Sequence, residues 1–102
     1  MGDGPGPGLE GRDLKLPEAI SQPRPNYTEE ARKARAEGMV VLQVMIRKNG
    51  TVDGIRVLRG LAYGLDESAI HTVASKWRFR PATYRGIPVD FQAVIEVTFR
   101  LF

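Results

Sequence analysis

The last fourteen residues constrain this chain more than anything before them. Val89, Phe91, Ala93, Ile95, Val97, Phe99 and Leu101 are all apolar, and they alternate with Asp90, Gln92, Val94, Glu96, Thr98, Arg100 and Phe102. A period of two is the signature of a β-strand with one face on a core and the other face outward. Such a strand cannot stand alone. It needs neighbours in a sheet and a layer to cover its apolar face. Fourteen residues is long for one strand, so its first positions are expected to bend.

The partners can be read upstream. Val40, Leu42, Val44 and Ile46 alternate with Val41, Gln43, Met45 and Arg47, and a second strand is expected over about Val52 to Leu58. Between them Lys48-Asn49-Gly50 is a turn signal, because the Asn-Gly pair tolerates positive φ. Thr28 is placed to cap a helix running to about Glu37, with Glu29 and Glu30 in its first turn and Gly38 as its stop. A second helix is expected to open at Leu65-Asp66-Glu67, with Asp66 as N-cap and Pro81 as terminator. Its apolar stripe is Ile70, Val73, Ala74 and Trp77, at i, i+3, i+4 and i+7.

The reading is therefore an α+β domain ordered helix, strand, strand, helix, strand. It has a three-stranded antiparallel sheet with two helices packed on one face. Such a sheet has two open edges, each a row of unpaired N–H and C=O groups. With 102 residues, there is room for one domain and a tail. The domain is assigned to residues 22–102. Residues 1–21 are read as a Gly- and Pro-rich tail or linker, within which Leu14, Leu16 and Ile20 form a short extended arm. Prolines interrupt the Gly-x-Gly spacing of the tail and no strand precedes it, which excludes a phosphate loop. The prolines of Gln22-Pro23-Arg24-Pro25-Asn26 hold that stretch extended.

Chemistry is sparse. The chain has no cysteine and a single histidine, His71, and no metal constellation or cofactor loop is found. Glu67, His71 and Ser75 lie at i, i+4 and i+8, which makes a ladder along one helix flank and not a converging triad. The pairs Glu29/Glu30 and Asp66/Glu67 fall in helix first turns, where the macrodipole favours negative charge. Asn26-Tyr27-Thr28 fits the glycosylation triplet, which is common by chance. The expectation is a non-enzymatic domain without cofactors.

Charge is uneven. Residues 1–22 hold four acidic and two basic side chains, whereas residues 23–102 hold thirteen basic and eight acidic ones. Arg56, Arg59, Arg78, Arg80, Arg85 and Arg100 raise nucleic-acid binding, which requires exposed aromatics interleaved with the basic groups. Trp77 and Phe79 are better placed in the core, and Phe91 and Phe99 share the apolar face of the last strand, so nucleic acid is not expected as a partner. No apolar run approaches the ~20 residues of a membrane span.

The first half of the chain carries Tyr27-x-x-Glu30-Ala31-Arg32, Glu37-Gly38-x-Val40-x-Leu42 and Asn49-Gly50-x-Val52. The second half carries Gly64-Leu65-Asp66, Ala69-Ile70, Trp77-Arg78-Phe79-Arg80-Pro81-Ala82 and Gly86-Ile87-Pro88-Val89. Taken in order, these motifs resemble the TonB C-terminal domain family. Where the family often has Tyr-Pro, this chain has Tyr27-Thr28. The stretch from Gln22 to Tyr27 is two residues longer than the family's Gln-Pro-x-Tyr.

The resemblance implies a periplasmic module, tethered to the inner membrane by a segment outside these residues and driven by the ExbB–ExbD motor. It implies docking of the TonB box of outer-membrane receptors, by strand addition to the last strand, for siderophore or vitamin uptake. The residues expected to meet that partner are Gln22, Arg24, Asn26, Tyr27, Gln92, Val94, Glu96, Thr98 and Arg100. The competing expectation is a structural or dimerisation module that forms a homodimer through its edge strands. Trp77 is expected to anchor the second helix, with Arg78 and Arg80 pointing away from the core.

Overall fold

The computed structural model describes residues 13–101. The chain runs β1 (Leu14–Lys15), β2 (Glu18–Ser21), α1 (Glu29–Ala34), β3 (Gly38–Ile46) and β4 (Val52–Arg59). It continues through α2 (Leu65–Lys76), β5 (Arg78–Arg80), β6 (Ala82–Tyr84), β7 (Ile87–Val89) and β8 (Phe91–Phe99). The main sheet is antiparallel, in the order β4–β3–β8. β3 meets β8 in unbroken register from Gly38 opposite Phe99 to Ile46 opposite Phe91.

This register puts the apolar halves of the alternating strands on one face. Val40, Leu42, Val44 and Ile46 from β3 join Val97 and Phe99 from β8 in one buried cluster. The same cluster takes in Ala31 from α1 and Leu65, Ala69 and Val73 from α2, so both helices cover this face. Each of the large aliphatic side chains here contributes about 1.5–3 kcal/mol through burial. The other face carries Met39, Val41, Gln43 and Met45 opposite Thr98, Glu96, Val94 and Gln92.

The expected core order of helix, hairpin, helix and strand is present, within a richer set of strands. The arm is extended and paired: β1 lies antiparallel on β6, which also pairs with β7, and β2 lies antiparallel on β5. Residues 1–12, the rest of the expected tail, lie outside the described residues.

Several boundaries differ from expectation for local reasons. Thr28 does cap α1, its hydroxyl accepting from the Ala31 N–H at 3.1 Å and donating to the Tyr63 carbonyl at 2.6 Å. The helix ends at Ala34, however, because Arg35 turns left-handed (φ 54°) and the Ala36 N–H bonds back to the Ala31 carbonyl. Gly38 therefore starts β3 and does not stop the helix.

Asp66 is not the cap of α2. Gly64, left-handed at φ 76°, holds that position without a side-chain bond. The Asp66 carboxylate instead accepts from the Leu61 N–H at 2.6 Å. The helix ends at Lys76, well before Pro81, with Trp77 already extended (φ −73°, ψ 139°). The indole thus enters the core from the strand side, and the buried face of α2 becomes Leu65, Ala69, Thr72 and Val73, leaving Ala74 exposed.

The final alternation also breaks, at Asp90, into β7 and β8. The Asp90 carboxylate accepts from the Lys48 N–H at 2.9 Å and from the Arg47 guanidinium at 3.1 Å. Arg47 also bonds Asp53 at 2.6 Å, so one cation ties the β3–β4 turn to the start of β8. The Lys48 N–H, followed by Arg47, holds the Asp90 carboxyl below the usual carboxylate range. The sign follows from linkage. A depressed folded-state pKa adds stability above the unfolded value of 3.8, and this is lost as pH falls through the folded value. In urea unfolding at pH 3 and pH 6, Asp90→Asn is expected to narrow the stability gap between the two. An unchanged gap would show that these bonds contribute nothing to acid sensitivity.

Candidate functional site

β8 uses one side for β3, and among the described residues no strand pairs with its other side. The arm is the nearest candidate to cover that edge, yet β1 and β2 pair with β6 and β5. The exposed side chains along β8 are Gln92, Val94, Glu96 and Thr98, followed by Arg100 just beyond the strand. Val94 is 58% exposed. This edge has no lysine or proline to discourage pairing. On the inner face Val97 and Phe99 are buried, but Phe91, Ala93 and Ile95 are only half-buried. An added strand would therefore meet apolar side chains as well as free backbone groups.

Beside the C-terminal half of β8 runs the segment Gln22–Tyr27, extended by its prolines and fixed at three points. The Trp77 Nε1–H donates to the Pro23 carbonyl at 2.9 Å. The Ser68 hydroxyl donates to the Asn26 carbonyl, and the Tyr27 hydroxyl donates to the Ala36 carbonyl at 2.7 Å. The Tyr27 ring stands edge-on to Phe99, with centroids 5.6 Å apart at 86°, and the Arg32 guanidinium sits 5.8 Å from its centre. Burial, helped by Glu37 and opposed by Arg32, raises the Tyr27 pKa, so the hydroxyl stays a donor at neutral pH.

A groove of about 570 Å³ lies between this segment and the end of β8. Arg24, Asn26, Tyr27, Thr98 and Arg100 all line it, together with Arg32, which the sequence reading did not single out. A shallower depression of about 240 Å³ brings Gln22 and Glu96 together beside Trp77. Gln92 and Val94 sit farther along β8, opposite Met45 and Gln43, and line neither groove. Arg32 stands in the Tyr27-x-x-Glu30-Ala31-Arg32 motif, but that pattern gave it no place in a partner site. Its place depends on α1 folding back beside Tyr27.

The other candidates resolve simply. Glu67, His71 and Ser75 are exposed, and the Ser75 hydroxyl donates to the His71 carbonyl of its own helix. Arg78 donates to the Trp77 and Ser75 carbonyls, and Arg80 pairs with Glu18, so both point away from the core. Trp77, Phe79 and Phe99 are buried, so they offer no stacking platform to a nucleic-acid strand.

Fold and site together define an α+β module with a free sheet edge beside a fixed groove. The chain belongs to the Gram-negative bacterial TonB protein C-terminal family, whose description matches residues 23–101. It is 28% identical over 65 residues to the Protein TonB of Escherichia coli (strain K12), covering 64% of this chain and 27% of that protein. It is 27% identical over 79 residues to the Protein TonB of Klebsiella pneumoniae, covering 74% of this chain and 32% of that protein. The chain thus spans a third or less of these curated relatives. A solution NMR structure of the Pseudomonas aeruginosa TonB CTD matches with a TM-score of 0.63 and 26% identity, over 88% of each chain.

Proposed function

We propose that this domain docks the TonB box of outer-membrane receptors in the periplasm, by strand addition to the open edge of β8. The observation that carries the reading is the unpaired β8 edge with a groove fixed beside it. Backbone hydrogen bonds along the edge supply affinity, and the flanking side chains supply choice among partners. Family membership supports a role in transport. The domain takes energy from ExbB–ExbD through a segment outside these residues, anchored in the inner membrane, and passes it to the bound receptor. Among the described residues, no helix is long and apolar enough to cross a membrane.

Titration of the isotope-labelled protein with receptor-derived TonB-box peptides tests this reading. Backbone amide shifts are expected along 91–100 and 22–27. Shifts that avoid both stretches would rule out strand addition at β8. Sedimentation in the same buffer separates receptor docking from self-pairing, since a homodimer through edge strands would form without peptide.

A further inference from the structure

The β3–β4 turn carries a chemical liability as well as a shape. Its Asn49 is followed by Gly50, so no side chain shields the backbone nitrogen next to the carboxamide. That nitrogen, once solvent base has taken its proton, can attack Asn49 Cγ. The new N–Cγ bond closes a five-membered imide, and the carboxamide nitrogen takes up a proton and leaves as ammonia. Water then opens the ring at either carbonyl. Opening at the side-chain carbonyl gives aspartate. Opening at the backbone carbonyl gives isoaspartate, whose chain runs on through Cβ and Cγ and is longer by one backbone atom. The other asparagine of the chain, Asn26, precedes Tyr27, whose bulk hinders the same attack.

The folded turn keeps this ring from closing. The Gly50 N–H donates to the Arg47 carbonyl at 2.8 Å, and neither Lys48 nor Asn49 has a positive φ, which makes the turn type I. Such a turn sets ψ of its third residue near about 0°, and the next nitrogen then lies roughly 120° from the position eclipsing Cβ that closure needs. The carboxamide is held too, its Oδ1 accepting from the Thr51 N–H at 3.1 Å and the Thr51 hydroxyl at 2.7 Å. The Gly50 peptide is also tied to β5. Its carbonyl accepts from the Phe79 N–H at 2.9 Å, and its Cα lies hard against the Phe79 carbonyl. Asn49 itself is exposed, so water and base reach it whenever the turn opens.

We infer that Asn49 is a site of spontaneous deamidation kept shut by the folded turn, and that its isoaspartate product releases β5. The extra backbone atom falls inside a turn closed by the Gly50 bond to Arg47 and by the Arg47 N–H bond to the Thr51 carbonyl at 2.8 Å. The longer chain cannot keep these bonds together with the Phe79 contact. Phe79 packs on Trp77, so the disturbance reaches the indole. Isoaspartate at this position thus records how often the turn has opened. Nothing in this chemistry depends on docking at β8.

Peptide mapping by mass follows the exchange of NH for O at Asn49, in the folded protein and in urea at the same mildly alkaline pH. The folded rate is expected to be about tenfold or more below the unfolded rate, because each event waits for local opening. Thr51→Val, which loses one donor to Asn49, is expected to speed the folded reaction about threefold and leave the unfolded rate unchanged. The isoaspartate form, separated by chromatography, is expected to show displaced Phe79 amide and Trp77 indole N–H signals. Asn49→Asp, the other product, is expected to leave them in place, since its carboxylate still accepts from Thr51. Equal rates in folded and unfolded protein overturn the gate. Unmoved signals in the isoaspartate form overturn the release of β5. Equal displacement in Asn49→Asp also overturns it, because charge would then suffice. So does complete unfolding of the isoaspartate form by circular dichroism, because the lesion would then not be local.

Discussion

Trp77→Ala is expected to lower the unfolding free energy by about 3–5 kcal/mol, measured by chemical denaturation at neutral pH. The indole is 6% exposed and packs at 6.4 Å from Phe79 within the main core. Truncation removes that contact area and leaves a cavity between α2 and the sheet. It also strips the Pro23 carbonyl of its donor. Trp77→Phe separates the two effects, because it keeps most of the apolar bulk and loses only the N–H. Its cost should be about 1 kcal/mol, the usual net value of one hydrogen bond. The functional signature differs from the stability signature. Trp77→Phe removes one of the three bonds that hold the Gln22–Tyr27 segment, so peptide docking should weaken while the fold holds. If Trp77→Ala cost under about 1 kcal/mol, the indole would not be the anchor its burial indicates.

This double role of Trp77 marks the boundary of what the sequence disclosed. The spacing from Ile70 to Trp77 was a sound apolar pattern, and the ring is indeed in the core. The pattern implied a helix through Trp77, whereas the chain leaves the helix there so that Arg78–Arg80 can pair with the arm. Pairing over a separation of some sixty residues leaves no local trace. The same holds for Asp90. Its place in an alternating run reads as one more outward residue. Only the fold brings it to Arg47 and the Lys48 N–H, where it divides the run. By contrast β8 itself was legible, because a period of two determines which side chains turn inward whatever the partner strand is.

The site divides along the same line. The outward set Gln92, Val94, Glu96, Thr98 and Arg100 followed from parity alone. The convergence of Arg24, Asn26 and Tyr27 on Thr98 and Arg100 did not, because it depends on the Trp77, Ser68 and Tyr27 bonds that pin the proline segment. Gln92 and Val94 share the strand but not the groove. Their substitution should then affect the pairing surface and leave the groove intact.

Two glycines of similar backbone conformation should respond to alanine very differently, and their comparison isolates one contact. Gly50 (φ 89°) closes the β3–β4 turn, its N–H bonding the Arg47 carbonyl at 2.8 Å while its carbonyl accepts from the Phe79 N–H at 2.9 Å. A Cβ there would sit far inside van der Waals contact with the Phe79 carbonyl oxygen, a backbone atom that cannot swing aside. Gly86 (φ 82°) turns the chain between β6 and β7, and a Cβ there meets nothing within 4 Å. Gly86→Ala should therefore cost only the left-handed backbone penalty, about 1 kcal/mol. Gly50→Ala adds displacement of β5, and about 3 kcal/mol in total is expected from denaturant midpoints at unchanged slope. Phe79 is buried beside Trp77, so this displacement reaches the indole that holds the proline segment. Docking by Gly50→Ala should then fall further than by Gly86→Ala at equal folded fraction. Equal costs for the two variants would mean that the turn and β5 are not in the close contact on which this coupling depends.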